Sequence, residues 1–245
     1  MGYAVHQLDP QTWLIEEDGE CNVYMYLLAG DEKAVLIDAG YGTIPLKSIV
    51  CALTHLPVTV LCTHAHYDHI GGTGFFSTVL MHRAGRELYR QQLLELRDCV
   101  PDYLAPDLVG KPCWFDDGFT LDLGNRTLEI FPVPGHTKGC VAILDVQRRQ
   151  LFTGDTCCKG AVLLNFDHSS DLNTFRNSVV CILEKQDRFD ITWPSHHKKP
   201  LTVDIPLQFR EAADLLLCGI ARGTEIPSYC GTSKMFSYKD ISIIY

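Results

Sequence analysis

The run Thr63-His64-Ala65-His66-Tyr67-Asp68-His69 carries three imidazoles and one carboxylate on the six consecutive residues 64 to 69. His64 and His66 stand two residues apart, so in an extended turn their rings point the same way and can share one ion. Asp68 and His69 follow directly and would face a neighbouring ion. Imidazole nitrogen and carboxylate oxygen are donors that suit zinc, and also iron or manganese. The stretch therefore predicts a metal centre in preference to a solvated, histidine-rich loop.

Two predicted strands lead toward this run. Val58–Cys62 is apolar and β-branched, and it delivers the histidines at the end of a short buried strand. An earlier strand, Ala34–Ile37, ends in Asp38-Ala39-Gly40 and so places Asp38 beside the same site. We interpret Asp38 as an acceptor that fixes the orientation of a metal ligand, with a plain turn residue as the alternative.

The second half of the chain repeats this layout. Leu151–Thr153 leads into Asp155, and after a helical stretch Phe189–Trp193 leads into His196. A further strand turns at a Pro-Gly pair and presents His136. The spacing from aspartate to histidine differs between the halves, so they share an arrangement of elements and not a repeated sequence.

Taken together, these motifs resemble those of a known family. In chain order they are Ile37-Asp38-Ala39-Gly40, His64-Ala65-His66-Tyr67-Asp68-His69, Pro134-Gly135-His136-Thr137, Gly154-Asp155 and Pro194-Ser195-His196. This set resembles the metallo-β-lactamase superfamily, and its ligands are nearest to those of glyoxalase II-like hydrolases. The resemblance covers roughly residues 10 to 245. It implies an α/β fold, the αββα four-layer sandwich, formed by one domain over residues 1–245.

The resemblance also implies a ligand set for two divalent metal ions, with zinc preferred and iron or manganese also compatible. Three histidines would hold the first ion, an aspartate and two histidines the second, and one aspartate would bridge both. In that order the residues are His64, His66 and His136; Asp68, His69 and His196; and Asp155. The shared water would become a bridging hydroxide nucleophile, which Asp68 is placed to orient as a catalytic residue.

Some positions depart from the relatives. Asp155 stands where antibiotic-degrading relatives carry cysteine, which argues against β-lactamase activity. Cys158 stands where quorum-quenching lactonases carry tyrosine, so the substrate cannot be transferred from them. Cys157 and Cys158 would lie at the rim of the site, where packing is the alternative to substrate contact. Lys159 is a candidate for binding a substrate carboxylate, with an ordinary surface lysine as the alternative.

His197 adjoins the predicted ligand His196 and competes with it for one coordination position. The family turn Pro-Ser-His favours the first of the two histidines. His197 then remains a possible substrate-binding residue. The eleven cysteines include no Cys-x-x-Cys pair, which favours packing in a reducing compartment.

Composition limits the choice of partners. The net charge of −9 disfavours nucleic acid and anionic membranes, because both require a basic protein surface. The sequence shows neither a signal peptide nor an apolar stretch long enough to cross a bilayer. We therefore expect a cytoplasmic protein that acts on a small-molecule substrate, with the oligomeric state left open.

Periodicity predicts outer helices over residues 84–96, 172–185 and 205–221. Residues 98–119 carry three prolines and neither helical nor strand periodicity, so we interpret them as a loop over the active site. One helix and one strand do not account for all the residues between His69 and His136.

Four functions remain open from the sequence. The first is a dinuclear metal-dependent hydrolase of a small ester, thioester or lactone. The second is an iron-dependent persulfide dioxygenase, since relatives with that activity resemble this ligand set. A phosphodiester hydrolase and a metal-binding module without catalysis are the others.

Overall fold

The computed structural model describes residues 2–19, 21–99, 111–228 and 230–245. The chain divides into two compact units, Met1–Ile130 and Phe131–Tyr245. Each unit has a hydrophobic core of its own, one built around residues such as Leu36 and Val60, the other around residues such as Phe175 and Phe209. The expectation of one family domain over residues 1–245 stays a prediction.

Within its described residues, the first unit contains a seven-stranded sheet in which every strand lies beside its neighbour in sequence. The strands are β1 (Tyr3–Asp9), β2 (Thr12–Glu17), β3 (Val23–Ala29), β4 (Ala34–Ile37), β5 (Val58–Leu61), β6 (Val79–His82) and β7 (Cys113–Phe115). Pairing is antiparallel from β1 to β4 and parallel from β4 to β7. Every residue of β3 and β4 is buried, as expected of strands covered on both faces.

Helices connect the parallel strands of this sheet. The helix α1 (Leu46–Leu53) joins β4 to β5, the short α2 (Tyr67–Ile70) follows β5, and α3 (Arg86–Cys99) follows β6. Because β4 and β5 run parallel, Asp38 and the histidine run leave the sheet at the same edge, where α/β sheets commonly bind ligands.

The interpretation of residues 98–119 as a loop requires correction at two places. Asp98 belongs to α3, and Cys113–Phe115 forms β7, which pairs in parallel with β6. Residues 100–110 of the predicted loop lie outside the described residues. The three prolines in this stretch favoured a loop. A strand of only three residues is also too short for alternation to be recognised in the sequence.

Next come β8 (Thr120–Asp122) and β9 (Thr127–Pro132), which form an antiparallel hairpin. Positive φ angles at Gly124 and Asn125 give the turn the handedness that suits a tight hairpin.

The second unit contains strands in two groups. The strands β10 (Val141–Asp145), β11 (Gln150–Gly154) and β13 (Ile191–Pro194) lie side by side with β11 in the middle. The others are β12 (Ala161–Leu163), β14 (Thr224–Ser228), β15 (Gly231–Tyr238) and β16 (Ile241–Ile244), in the order β12-β16-β15-β14. Since β11 and β13 are parallel, Asp155 and His196 leave the sheet at one edge.

Two helices pack on the core of the second unit, α4 (Leu172–Leu183) and α5 (Ile205–Leu217). Asp171 caps α4 by accepting a hydrogen bond from the amide of Thr174 at 2.8 Å. Among the residues that the structure describes, no helix combines the length and the apolar character needed to cross a bilayer.

Candidate metal centre

In the first unit, strand β5 leads directly into a pair of histidines whose ring nitrogens face each other. His64 Nε2 lies 3.0 Å from His66 Nδ1. His64 is buried and His66 is partly buried. Two imidazole nitrogens this close, on residues two apart, have the spacing of ligands that share one ion.

Helix α2 carries the next two candidates. His69 Nε2 lies 3.6 Å from Asp68 Oδ2, and the ring centroids of His69 and His64 are 4.0 Å apart. Ligand atoms in each of the pairs His64–His66, His64–His69 and Asp68–His69 lie within 4.8 Å of each other. The four predicted ligands of this unit therefore converge.

Asp38 accepts hydrogen bonds from His69 and from Thr63, the residue before His64. It is fully buried, and its Oδ2 accepts a hydrogen bond from His69 Nδ1 at 2.8 Å. Oδ1 accepts from the backbone amide of Thr63 at 2.7 Å, and the Thr63 hydroxyl donates to Oδ2 at 2.8 Å. With the proton of His69 on Nδ1, its Nε2 is left as the electron-pair donor.

A buried carboxylate that sequence reasoning missed anchors the loop after β4. Glu17 is fully buried at the end of β2. It accepts hydrogen bonds from the amides of Tyr41 and Thr43 at 2.9 and 3.0 Å, and from the Thr43 hydroxyl. In sequence, Glu17 reads as an ordinary acidic residue at a strand end, because its partners are more than twenty residues away.

In the second unit, Asp155 lies between two histidines. Its Oδ2 is 3.5 Å from His136 Nε2 and 3.5 Å from His196 Nε2. His136 Nδ1 donates to the carbonyl oxygen of Leu163 at 2.8 Å. A carbonyl oxygen can only accept a hydrogen bond, so His136 carries its proton on Nδ1. Its Nε2, like that of His69, is then left with a lone pair that can bind a metal ion.

Residues around α4 hold the turn that presents His136. The hydroxyl of Ser178 donates to the carbonyl of Pro134 at 2.7 Å, and that of Ser169 donates to the carbonyl of His136 at 2.8 Å. A Cβ at Gly135 would lie 2.6 Å from the Phe175 ring. No pattern in the sequence connects Ser169 or Ser178 with His136.

The structure separates the adjacent histidines 196 and 197. His196 is buried with its Nε2 toward Asp155, whereas His197 is exposed and adopts a left-handed backbone conformation with φ of 67°. The turn places the two rings 6.2 Å apart and tilts them by 59°. The assignment of His196 as the metal ligand, which rests on the Pro-Ser-His turn, stays a prediction.

Three other candidates for substrate contact, Cys157, Cys158 and Lys159, pack or form an ion pair within the fold. Cys157 and Cys158 are buried in the core of the second unit, and burial raises the pKa of both thiols. A buried neutral thiol favours packing over contact with substrate. Lys159 forms an ion pair with Asp240 at 3.0 Å.

Comparison with known proteins gives matches in sequence. A profile described as the metallo-beta-lactamase superfamily matches residues 18–189. An acyl-coenzyme A thioesterase from Homo sapiens, MBLAC2, is 28% identical over 180 residues, which cover 62% of this chain and 64% of that protein. A hydroxyacylglutathione hydrolase from Francisella tularensis subsp. tularensis (strain WY96-3418) is 29% identical over 178 residues, which cover 71% of this chain and 62% of that protein. The chain thus spans less than two thirds of the length of either relative.

Solved structures match the fold. A metallo-beta-lactamase from Pontibacter korlensis superposes with a TM-score of 0.70 at 18% identity, covering 87% of this chain and 99% of that one. A metallo-beta-lactamase family protein from Thermus thermophilus gives 0.63 at 21% identity, covering 87% and 80%. These likenesses confirm the fold class expected from the motifs. Because the family profile covers more than half of the sequence, the chain belongs to the metallo-beta-lactamase superfamily.

Proposed function

We propose that this protein is a metal-dependent hydrolase and that its substrate is a thioester, with small esters and lactones as chemically related substrates. The observation that carries the proposal is the convergence of imidazole nitrogens and carboxylate oxygens within each unit. The relatives named above support the choice of bond, since acyl-coenzyme A and hydroxyacylglutathione are both thioesters.

The donor set fits two divalent ions. On the family pattern, we assign three histidines to the first ion, an aspartate and two histidines to the second, and one bridging aspartate. These are His64, His66 and His136; Asp68, His69 and His196; and Asp155. Their oxygen and nitrogen donors suit zinc, iron or manganese. The hydrogen bonds at Nδ1 of His69 and His136 support the assignment, because they leave Nε2 as the donor.

When bound, two such ions supply a hydroxide nucleophile at neutral pH and stabilise negative charge on the reacting oxygen and on the leaving group. Asp68 is partly exposed beside His69, so it can orient the attacking water and carry a proton toward the leaving group. Asp38 and the carbonyl of Leu163 hold the rings of His69 and His136 in place. A thiolate leaves readily, whereas an amide nitrogen must be protonated, so we expect little β-lactam hydrolysis.

The test combines metal analysis with a substrate panel. Protein purified without chelator should carry about two metal ions per chain and hydrolyse thioesters faster than phosphodiesters or β-lactams. Asp155→Ala should lose metal and at least about 100-fold in activity. The matched control is Asp167→Ala, which removes an exposed carboxylate of the same unit and should change neither.

Two results would overturn the proposal. One is a single iron per chain together with persulfide-dependent oxygen uptake and no ester or thioester hydrolysis, which would favour a dioxygenase. The other is phosphodiester cleavage that outpaces every thioester tested.

A further inference from the structure

An open hollow of about 490 Å³ lies in the second unit, next to the predicted ligand His196. Three of its lining residues are lysines, and we call it the lysine hollow. The residues that line it are Lys159, His197, Lys198, Lys199, Pro200, Leu201, Thr202 and Ile205. His197 connects it with the candidate centre, since its ring lies 6.2 Å from that of His196, which faces Asp155.

Backbone pairing holds the shape of the lysine hollow. Thr192 and Leu201 exchange backbone hydrogen bonds at 3.0 and 2.8 Å, which closes the loop that carries the lysines. Lys198 forms a further antiparallel bridge with Lys159. Leu201 and Ile205 are buried and form an apolar floor. A loop closed in this way can present charges without a large loss of conformational entropy on binding.

Gly160 makes room for the histidine at one side of the lysine hollow. A Cβ at this position would lie 2.8 Å from the His197 ring, so a larger residue here would have to displace the ring. His197 itself has a left-handed backbone φ and is one of the residues that line the lysine hollow.

The charge of the lysine hollow contrasts with that of the whole chain, which is −9. Two carboxylates offset part of it: Asp240 pairs with Lys159 at 3.0 Å, and Asp204 is bonded by Thr202 and by the Gln208 amide. Lys198 and Lys199 are the other two lysines of the lining. The lining residue Ile205 is the first of α5, whose N-terminal end carries the positive pole of the helix dipole.

We propose that the lysine hollow binds the phosphate groups of a phosphorylated thiol carrier and so presents the carrier's acyl thioester to the candidate centre. The inference rests on the proposed thioester hydrolysis and narrows its substrate class. Lysine ammonium groups are common ligands of phosphate, and the volume is in the range of small-molecule sites. Glutathione is a weaker match, because its two carboxylates are accompanied by an ammonium group of its own.

The first test measures binding without turnover. Adenosine 3′,5′-bisphosphate carries phosphates but no thiol, so a thiolate cannot direct it to the metal ions. Calorimetry on the metal-loaded protein should show binding that weakens with salt, and Lys198→Ala with Lys199→Ala should weaken it about tenfold or more. The matched control, Lys33→Ala with Lys234→Ala, removes two exposed lysines elsewhere and should bind like the unmodified protein.

The second test compares two thioesters with the same acyl group, one of coenzyme A and one of uncharged N-acetylcysteamine. The Lys198, Lys199 double variant should raise KM for the coenzyme A ester about tenfold or more and leave kcat close to its original value. The ratio of kcat/KM between the two esters should fall accordingly. Metal content and thermal unfolding verify that the variant is folded.

An equal loss on both esters, or unchanged affinity for the bisphosphate, would overturn the role of the lysine hollow. If the unmodified protein hydrolyses no thioester, the proposed function fails. The calorimetric result then decides separately whether the lysine hollow binds phosphate.

Discussion

Asp38 is a single buried carboxylate that accepts hydrogen bonds from two other residues of the candidate site, Thr63 and His69. Its left-handed backbone, with φ of 60°, turns the chain at the end of β4, and both carboxylate oxygens accept hydrogen bonds. The sequence predicts an acceptor for a metal ligand at this position, but it does not identify His69 as the partner. The two residues are 31 positions apart and meet only because β4 and β5 pair in parallel.

For Asp38→Asn we expect metal affinity to fall by about 10–100-fold, because an amide accepts less strongly from the His69 ring and can place its own donor there. Competition with a chelator measures the affinity, and a cobalt-substituted sample reports ligand geometry by absorption. Asp117→Asn is the matched control, since Asp117 pairs with His82 at 2.8 Å outside the ligand set. Equal metal affinities in the two variants would rule out this role for Asp38.

The loop after β4 depends on close backbone approach as well as on Glu17. Gly40 and Gly42 have φ of 66° and 79°, and a Cβ at Gly71 would lie 2.2 Å from the carbonyl oxygen of Tyr41. The amide of Gly71 donates to the carbonyl of Gly40 at 2.9 Å. The loop and α2, which carries Asp68 and His69, therefore form one packed layer.

Glu17→Gln should destabilise this layer by about 1–3 kcal/mol, because an amide nitrogen would face donors that now meet a carboxylate oxygen. Urea unfolding measures the loss. Glu16→Gln is the matched control: Glu16 is the neighbouring residue in β2 and accepts from Asn22 on the exposed side. A Glu17 variant no less stable than the Glu16 variant would contradict the anchoring role.

The helix ends show where local patterns stop being informative. The predicted helix 205–221 ends at Leu217, followed by Cys218 and by Gly219 in the left-handed region. Apolar residues beyond that point continue the helical period. The helix nevertheless ends here, because the amide of Gly219 donates a hydrogen bond to the carbonyl of Leu216, one of the last carbonyl groups of the helix. The predicted helix 172–185 likewise ends early, at Leu183.

Across the two compact units, the ligand set is divided, with four candidate ligands in the first unit and three in the second. The proposed assignment gives each ion three ligands of its own and Asp155 as a shared one. Ions that bind the folded chain but not the unfolded chain raise the free energy of unfolding, by about 4.1 kcal/mol when the free ion is at a thousandfold excess over Kd.

Removal of metal by a chelator should therefore lower the thermal unfolding midpoint, and added zinc should restore it. Calorimetric scans with and without chelator measure the shift. In Asp155→Ala the shift should shrink, because that variant has already lost metal, while Asp167→Ala should respond like the unmodified protein. An unfolding midpoint that stays constant after complete metal removal would contradict the shared-ligand assignment.

The sequence by itself predicts the family, the fold class and the strand ends that carry the candidate ligands. It does so because strands, turns and ligand motifs are local: each needs only residues that are adjacent or a few positions apart. Membership in the superfamily and its fold are confirmed, while the metal count, the metal identity and the substrate stay predictions.

Other features are decided by tertiary structure alone. Glu17 reaches residues 24 and 26 positions away, Ser178 reaches the carbonyl of Pro134, and the buried state of Cys158 follows from packing of the second core. The lysine hollow forms only when the loop after β13 closes on the residues before β12. Such contacts depend on which distant segments pack together, and a local pattern of side chains carries little information about them.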